Sequence, residues 1–332
     1  MHHVGIIGTG SYVPERVLAN RELERMVDTS DKWIFERTGI RERRIAAEEE
    51  TNVTMGGIAL RRAIENAGIA PEEIEMIVAG TNTTEPVWPS AAGHMASLLN
   101  LNKNMAFFDI QAGCTGFNYA LSVAELFIKS GQHRTVAVVG SDKLSAITDY
   151  QDRNTCVLFG DGAGALILQR RAKVGLIRSH LSGEYRLRDT LVLRHNGQNG
   201  HHVMWMDGKK VYAFAKKAMV DSCLRVLDPD GTASRKELRD LLHQVDRIIP
   251  HQANARIIRA AAEALESMLE LPDGAVNNKM IVTIEKYGNN STASIPLAID
   301  QSFREGKLPK GDLVILVGFG AGLTYAANLL RF

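Results

Sequence analysis

Met105-Ala-Phe-Phe-Asp-Ile-Gln-Ala-Gly-Cys114-Thr-Gly-Phe-Asn-Tyr-Ala-Leu121 reads as an apolar strand, a sharp turn of small residues, and a helix that opens at the cysteine. That helix is expected to end at Ser130-Gly131, with the strand Thr135-Val-Ala-Val-Val-Gly140 after it. Such alternation predicts an α/β protein whose sheets are covered by helices. The same succession returns later: Asn289-Asn290 opens a segment ending at Glu305-Gly306, and the strand Leu313-Val-Ile-Leu-Val-Gly318 follows. A second pair of pieces also matches. The helix Gly57 to Gly68, then Pro71-Glu-Glu and the strand from Ile77, parallels a helix through Leu224 and Val226. After that second helix come the capping-box pattern Ser234-Arg-Lys-Glu237 and the strand Asp246-Arg-Ile-Ile-Pro250. The echo predicts two duplicated halves, 1–172 and 173–332, joined without a low-complexity linker and sharing a broad interface.

The bulk composition narrows the classes of function. A chain of 332 residues is longer than one hydrophobic core usually organises, which agrees with two halves. A formal charge of +1 gives no general reason to expect nucleic acid or an anionic membrane as partner. The three cysteines, Cys114, Cys156 and Cys223, contain no CxxC spacing, so neither a disulfide framework nor a thiolate metal site is expected, and a reducing cytoplasm fits. Met1-His-His-Val-Gly lacks the basic and apolar regions of a secretion signal. The uncharged run Leu313 to Leu330 resembles a membrane span and carries Gly318 and Gly322 in GxxxG spacing. Its clustered glycines fit two buried strands joined by a tight turn better. Gly8-Thr-Gly-Ser-Tyr-Val13 lacks the third glycine of a dinucleotide fingerprint, so no nicotinamide or other cofactor is expected.

Three residues carry chemistry. Cys114 opens a helix that is apolar nearly all round, and the helix N-terminus should lower the pKa of its thiol. His251 closes an apolar strand and is followed by Gln252, Ala253 and Asn254. Asn289 stands in a turn after Gly288. One nucleophile with a remote His and Asn is an acyl-transfer constellation, provided folding brings the three together. A buried core cysteine and a turn asparagine are the plain structural readings of the same residues.

Pro250-His-Gln-Ala-Asn254, Tyr287-Gly-Asn289-Asn-Ser-Thr-Ala-Ser294 and the Cys114 turn together resemble the beta-ketoacyl-acyl-carrier-protein synthase III family of the thiolase superfamily. The resemblance extends to Thr29-Ser-Asp-Lys-Trp33-Ile-Phe-Glu-Arg37-Thr-Gly-Ile-Arg-Glu-Arg43, Phe159-Gly-Asp-Gly-Ala-Gly-Ala165 and Gly318-Phe-Gly-Ala-Gly-Leu-Thr324. It implies a thiolase-like fold, with two duplicated halves forming a five-layer αβαβα sandwich. It also implies the initiating condensation of dissociated fatty-acid synthesis. An acyl-CoA, expected to be acetyl-CoA, acylates Cys114, and malonyl-acyl-carrier protein then loses CO2 and condenses with it. His251 and Asn289 would hold the malonyl thioester carbonyl, and the backbone N–H groups of Cys114 and Ala321 would form an oxyanion hole. Trp33, Arg37, Arg153, Tyr212 and Asn254 would bind CoA, and Trp88 would limit the acyl pocket. Arg256, Lys216 and Lys217, with Lys209 nearby, would dock the acidic carrier protein, and a homodimer is expected. Three departures from the family pattern stand out: Trp88 where the family often has a Phe, Asn290 where it usually has Thr, and a longer stretch from Glu266 to Asn278 that reads as a surface loop. A condensing enzyme of secondary metabolism with another primer, or a cysteine hydrolase, are the competing enzymatic readings.

Overall fold

The structure is a computed structural model that describes residues 2–101, 104–171, 175–195 and 202–332. The boundary expected near 172 falls at residues outside that set. Five strands build the first sheet: β1 (His3–Tyr12), β2 (Met76–Gly80), β3 (Ala106–Ile110), β4 (Thr135–Asp142) and β5 (Gly162–Arg171). Four build the second: β6 (Leu176–Gly183), β7 (Arg247–Pro250), β8 (Leu313–Gly320) and β9 (Thr324–Arg331). The first sheet runs β1-β5-β4-β2-β3, with β2 parallel to both β3 and β4 and the remaining pairs antiparallel. The second runs β6-β9-β8-β7, parallel between β7 and β8 and antiparallel elsewhere. Order and sense therefore repeat from β1 to β6, β5 to β9, β4 to β8 and β2 to β7. The place of β3 is marked in the second sheet by a single parallel bridge, Ile248 to Met280.

Two helices fill the space between the sheets, α2 (Gly116–Lys129) and α5 (Ser294–Arg304), each touching strands of both. Phe117, Ala120, Leu121, Ala124 and Ile128 of α2 are wholly buried, as are Ile295 and Ile299 of α5, against Val138, Leu166, Val314 and Leu316. Burying each large side chain here is worth roughly 1.5–3 kcal/mol. The apolar surround expected for α2 is incomplete, since Leu126 is 64% exposed. Outside, α1 (Asn52–Ala67) covers the first sheet, and α3 (Gly208–Leu227) and α4 (Ala255–Leu269) cover the second. The result is the expected helix–sheet–helix–sheet–helix sandwich. The capping box at Ser234 forms as predicted.

The uncharged C-terminal run is β8 and β9, paired to each other and almost wholly buried. Among the described residues, no helix is long and apolar enough to cross a membrane. The stretch 266–278 differs from expectation. Its first part is the last turn of α4, and Leu269 and Val276 are buried in the core of the second half. The carboxylate of Glu266 ties the rest down by accepting from the backbone N–H groups of Val276 (2.7 Å) and Asn277 (3.0 Å).

Candidate active site

Cys114 and His251 sit just beyond the carboxyl ends of strands, and Asn289 sits just beyond a short helix. Cys114 follows β3. Gly113 adopts a left-handed φ of 57°, and α2 begins only at Gly116, with Thr115 as its cap. The helix thus opens two residues beyond the cysteine, not at it, because the turn must first be completed. Gly113 is also required by crowding: a Cβ there would stand 2.5 Å from the backbone nitrogen of Ala321. A Cβ on Gly320 would meet the backbone nitrogen of Cys114 at 2.3 Å. Glycine at both positions lets the Cys114 turn and the turn after β8 pack backbone against backbone. That contact brings the N–H groups of Cys114 and Ala321 to the Cys114 sulfur, each acting to favour its ionised form.

His251 leaves β7 with its own N–H donating to the Val317 carbonyl at 2.7 Å. The turn beyond it is pinned by Gln252, whose Nε2 donates to the carbonyls of Pro250 (2.7 Å) and Ile281 (3.1 Å). Its Oε1 accepts from the N–H groups of Thr283 (2.8 Å) and Ile284 (3.1 Å). The His251 ring is 1% exposed and meets the Phe319 ring edge-on at 5.6 Å. Burial pushes its pKa down to about 3, so the imidazole is neutral.

Asn289 follows a short helix, Ile284–Tyr287, and stands in the turn after Gly288 that the sequence suggested. Its backbone pairs with the Phe159 loop, N–H to the Leu158 carbonyl at 2.9 Å and carbonyl to the Gly160 N–H at 3.0 Å. Asn289 Oδ1 accepts from the Ser291 N–H at 2.9 Å, which leaves the Nδ2 donors for the cavity. The neighbouring Asn290 is buried and structural, its Nδ2 donating to the carbonyls of Asp161 (3.0 Å) and Tyr287 (3.2 Å).

Cys114, His251, Asn289 and Ala321 line one cavity of about 1050 Å³. Trp33, Arg37, Tyr212 and Asn254 line it too. Trp33 is flanked by two guanidinium groups, Arg153 at 4.3 Å from the ring centroid and Arg37 at 5.9 Å. Arg256 stands 6.0 Å over the Tyr212 ring, and Lys216 lies exposed one turn beyond Tyr212 on α3, beside Lys217. Trp88 is not brought to the cavity within its own chain. It stands on a surface loop, 81% exposed. A bulky ring next to two prolines gave no sign of which way the loop faces.

The thiol is a correction. Cys114 keeps some exposure to the cavity, yet burial pushes its pKa up to about 11, where a helix N-terminus was expected to lower it. The buried carboxylate of Asp142 raises it further; the Ser291 hydroxyl and the two backbone N–H groups oppose the rise. The sequence reading missed this supporting set. Asp142 accepts from Asn82 N (2.6 Å) and Nδ2 (3.2 Å), and from Thr292 Oγ1 (2.9 Å). Asn82 Nδ2 also reaches the Gly113 carbonyl (3.2 Å) and Ser291 Oγ (3.1 Å). With its lone pair engaged by Asn82, the Ser291 hydroxyl has its proton free for the Cys114 sulfur.

A nucleophile with two adjacent backbone donors, a neutral imidazole and an amide, on one cavity that Arg37 and Lys209 also line, suits acyl transfer between thioesters. The sequence family described as 3-oxoacyl-[acyl-carrier-protein (ACP)] synthase III matches residues 108–184, and its C-terminal part matches residues 241–332. The chain is 43% identical to the beta-ketoacyl-[acyl-carrier-protein] synthase III of Xanthomonas euvesicatoria, over 98% of both chains. It is 40% identical to the protein of that name from Caldanaerobacter subterraneus, over 99% of this chain and 97% of the other. The crystal structure of 3-oxoacyl-[acyl-carrier-protein] synthase III from Aquifex aeolicus superposes with a TM-score of 0.88 at 41% identity, covering 99% of this chain and all (100%) of that one.

Proposed function

The chain belongs to the beta-ketoacyl-[acyl-carrier-protein] synthase III family of acyltransferases, and from that premise we propose how its residues divide the condensation between them. The first half-reaction is acylation of Cys114. The sulfur attacks the carbonyl of a short acyl-CoA, acetyl-CoA by preference; a C–S bond forms, CoA departs, and the cysteine proton leaves with it. The backbone N–H groups of Cys114 and Ala321 hold the tetrahedral oxyanion, and each donor of this kind is typically worth a hundredfold or more in rate. In the second half-reaction malonyl-acyl-carrier protein enters. Its carboxylate leaves as CO2, and the electron pair passes to an enolate whose oxygen is held by His251 and Asn289. The enolate carbon attacks acyl-Cys114, a C–C bond forms, and the C–S bond breaks to return the thiolate. The thiolate then takes one proton from solvent to restore the thiol, which replaces the proton that left with CoA.

The observation that carries this reading is the convergence of Cys114, His251, Asn289 and Ala321 on a single cavity. Neutrality of His251 supports its role, because a neutral ring can donate from one nitrogen without having to shed a proton first. Trp33 between Arg37 and Arg153 suits the base and phosphates of CoA, with Tyr212 and Asn254 along the pantetheine. Arg256 over the ring of Tyr212, with Lys216 and Lys217 exposed on the same helix as Tyr212, would receive an acidic carrier protein. A homodimer is favoured by β3, which among the described residues is an edge of its sheet and carries Phe107, 48% exposed. Free cysteines suit a reducing cytoplasm.

A panel of acyl-CoA primers, each with malonyl-CoA and malonyl-carrier protein, tests the assignment. Acetyl-CoA with the carrier-protein donor should give 3-oxobutyryl-carrier protein. Preference for a long or aromatic primer, or indifference to the carrier, would place the chain in secondary metabolism. Net hydrolysis of acyl-CoA exceeding condensation would make it a hydrolase.

A further inference from the structure

His251 can donate to a substrate oxygen only from the nitrogen that its protein partner leaves free. Nδ1 is engaged: it lies 2.7 Å from Oγ of Ser294, the first residue of α5, itself 1% exposed. Among the described residues Ser294 is the only hydrogen-bond partner of the ring. Nε2 is thus the nitrogen available to the cavity, and whether it carries a proton depends on what Ser294 does.

The Ser294 hydroxyl has one proton and two acceptors within reach, His251 Nδ1 and the Ser291 carbonyl at 2.9 Å. If the proton goes to Ser291, then Nδ1 must carry the ring proton and donate to Oγ, and Nε2 is bare. A bare Nε2 repels an enolate oxygen. If the proton goes to Nδ1, the ring proton sits on Nε2 and the donor is formed. Two observations favour the second arrangement. The Ser291 carbonyl already accepts the backbone N–H of Ser294, so it keeps a partner when the hydroxyl turns away. The Gln252 N–H approaches Ser294 Oγ at 3.4 Å and takes one of the two acceptor sites of the hydroxyl, so Oγ keeps a donor of its own when its proton turns to Nδ1. Nδ1 is bonded to Oγ in either arrangement, so the two are separated by the carbonyl of Ser291, which is satisfied without the hydroxyl, and by the Gln252 N–H that already donates to Oγ.

We propose that Ser294 is the positioning residue that fixes His251 as the Nε2–H tautomer and so makes it a donor to the malonyl carbonyl. This deepens the condensation assigned above and rests on it. The same turn joins both halves of the chemistry: the Ser291 hydroxyl faces the Cys114 sulfur, while the Ser294 hydroxyl lies between the Ser291 carbonyl and His251 Nδ1.

Long-range 1H–15N correlation spectra of protein labelled at histidine read the tautomer directly, with His251→Gln assigning the resonance among ten histidines. The wild type should show Nε2 protonated and Nδ1 bare. Ser294→Thr, which keeps the hydroxyl, should preserve that pattern, and Ser294→Ala should give a mixture of tautomers. Decarboxylation of malonyl-carrier protein by Ser294→Ala should fall about tenfold in kcat, as loss of an orienting partner typically costs, with acylation of Cys114 within about twofold of wild type. A wild-type ring protonated on Nδ1 would overturn the proposal, as would a Ser294→Ala protein with unchanged tautomer and rate. Should Ser294→Ala fail to fold, the wild-type and Ser294→Thr spectra still decide. If Cys114 in the wild type takes no acyl group, the assigned function fails while the tautomer result stands on the spectra alone.

Discussion

Replacing Ser291 should make Cys114 a weaker nucleophile by an amount that the site geometry allows to be worked out. Asn82 Nδ2 donates to Ser291 Oγ at 3.1 Å, so the hydroxyl proton is available to the sulfur. A hydrogen bond to a charged group is worth about 1.5–3 kcal/mol, and each pKa unit is about 1.4 kcal/mol. Losing the hydroxyl should thus raise the thiol by about one to two units above its value of about 11. Below the pKa the thiolate fraction falls tenfold per unit, but the more basic sulfur regains about 0.4–0.5 of each decade in intrinsic reactivity. The net expectation is a loss of roughly three- to fifteenfold in the rate of reaction with a small aromatic disulfide at pH 8. Ser291 has a φ of 50°, which strains an alanine, so Ser291→Gly is the cleaner variant and Ser291→Ala its control. For wild type the rate should still be rising tenfold per pH unit at pH 9, since the thiol is far from fully ionised there. A rate plateau near neutrality, or a Ser291→Gly protein as reactive as wild type, would refute the account of the thiol.

The two half-reactions should separate by mutation. His251→Ala or Asn289→Ala should slow decarboxylation of malonyl-carrier protein by about a hundredfold or more. Acylation of Cys114 from acetyl-CoA should be far less affected; equal losses in both steps would contradict the assigned division of roles. The buried neutral imidazole also predicts acid sensitivity. The unfolded chain takes up a proton on this ring below about pH 6.5. The folded chain refuses it until about pH 3, so stability falls as the pH falls through that window. Between pH 6.5 and 4.5 the ring should account for about 2–3 kcal/mol of lost stability. Urea unfolding of wild type against His251→Gln checks this, and parallel pH dependence in the two would rule the ring out. Phe107→Asp, on the edge strand β3, should shift sedimentation from dimer toward monomer; an unchanged dimer would show that the subunits meet elsewhere.

Which parts of this were legible in the sequence follows from how local each determinant is. The strands β8 and β9 and the cap at Ser234 were readable because apolar runs, glycine turns and capping patterns are local signals. Cys114, His251 and Asn289 stood out because a reactive residue type terminates an ordered, apolar piece of chain. The high thiol pKa was not readable, since it is set by burial and by Asp142, 28 positions away by number and brought near only by β4. Asn82, Ser291 and Ser294 look like any small polar residues in turns, and their importance lies in which atoms face them. Where the Trp88 ring points was unreadable for the same reason, because the direction of a loop is a tertiary property. The stretch after Glu266 hid its core contacts behind a polar, glycine-containing composition, with Leu269 and Val276 its only strong apolar anchors.

The central claim is that Cys114 receives the acyl group before the second substrate arrives. Intact-protein mass spectrometry after mixing with acetyl-CoA alone, followed by peptide mapping, tests it most directly. The account predicts one added acetyl group on the peptide containing Cys114, lost when malonyl-carrier protein is added and absent in Cys114→Ala. A folded protein that condenses the two substrates without ever carrying that adduct would contradict it.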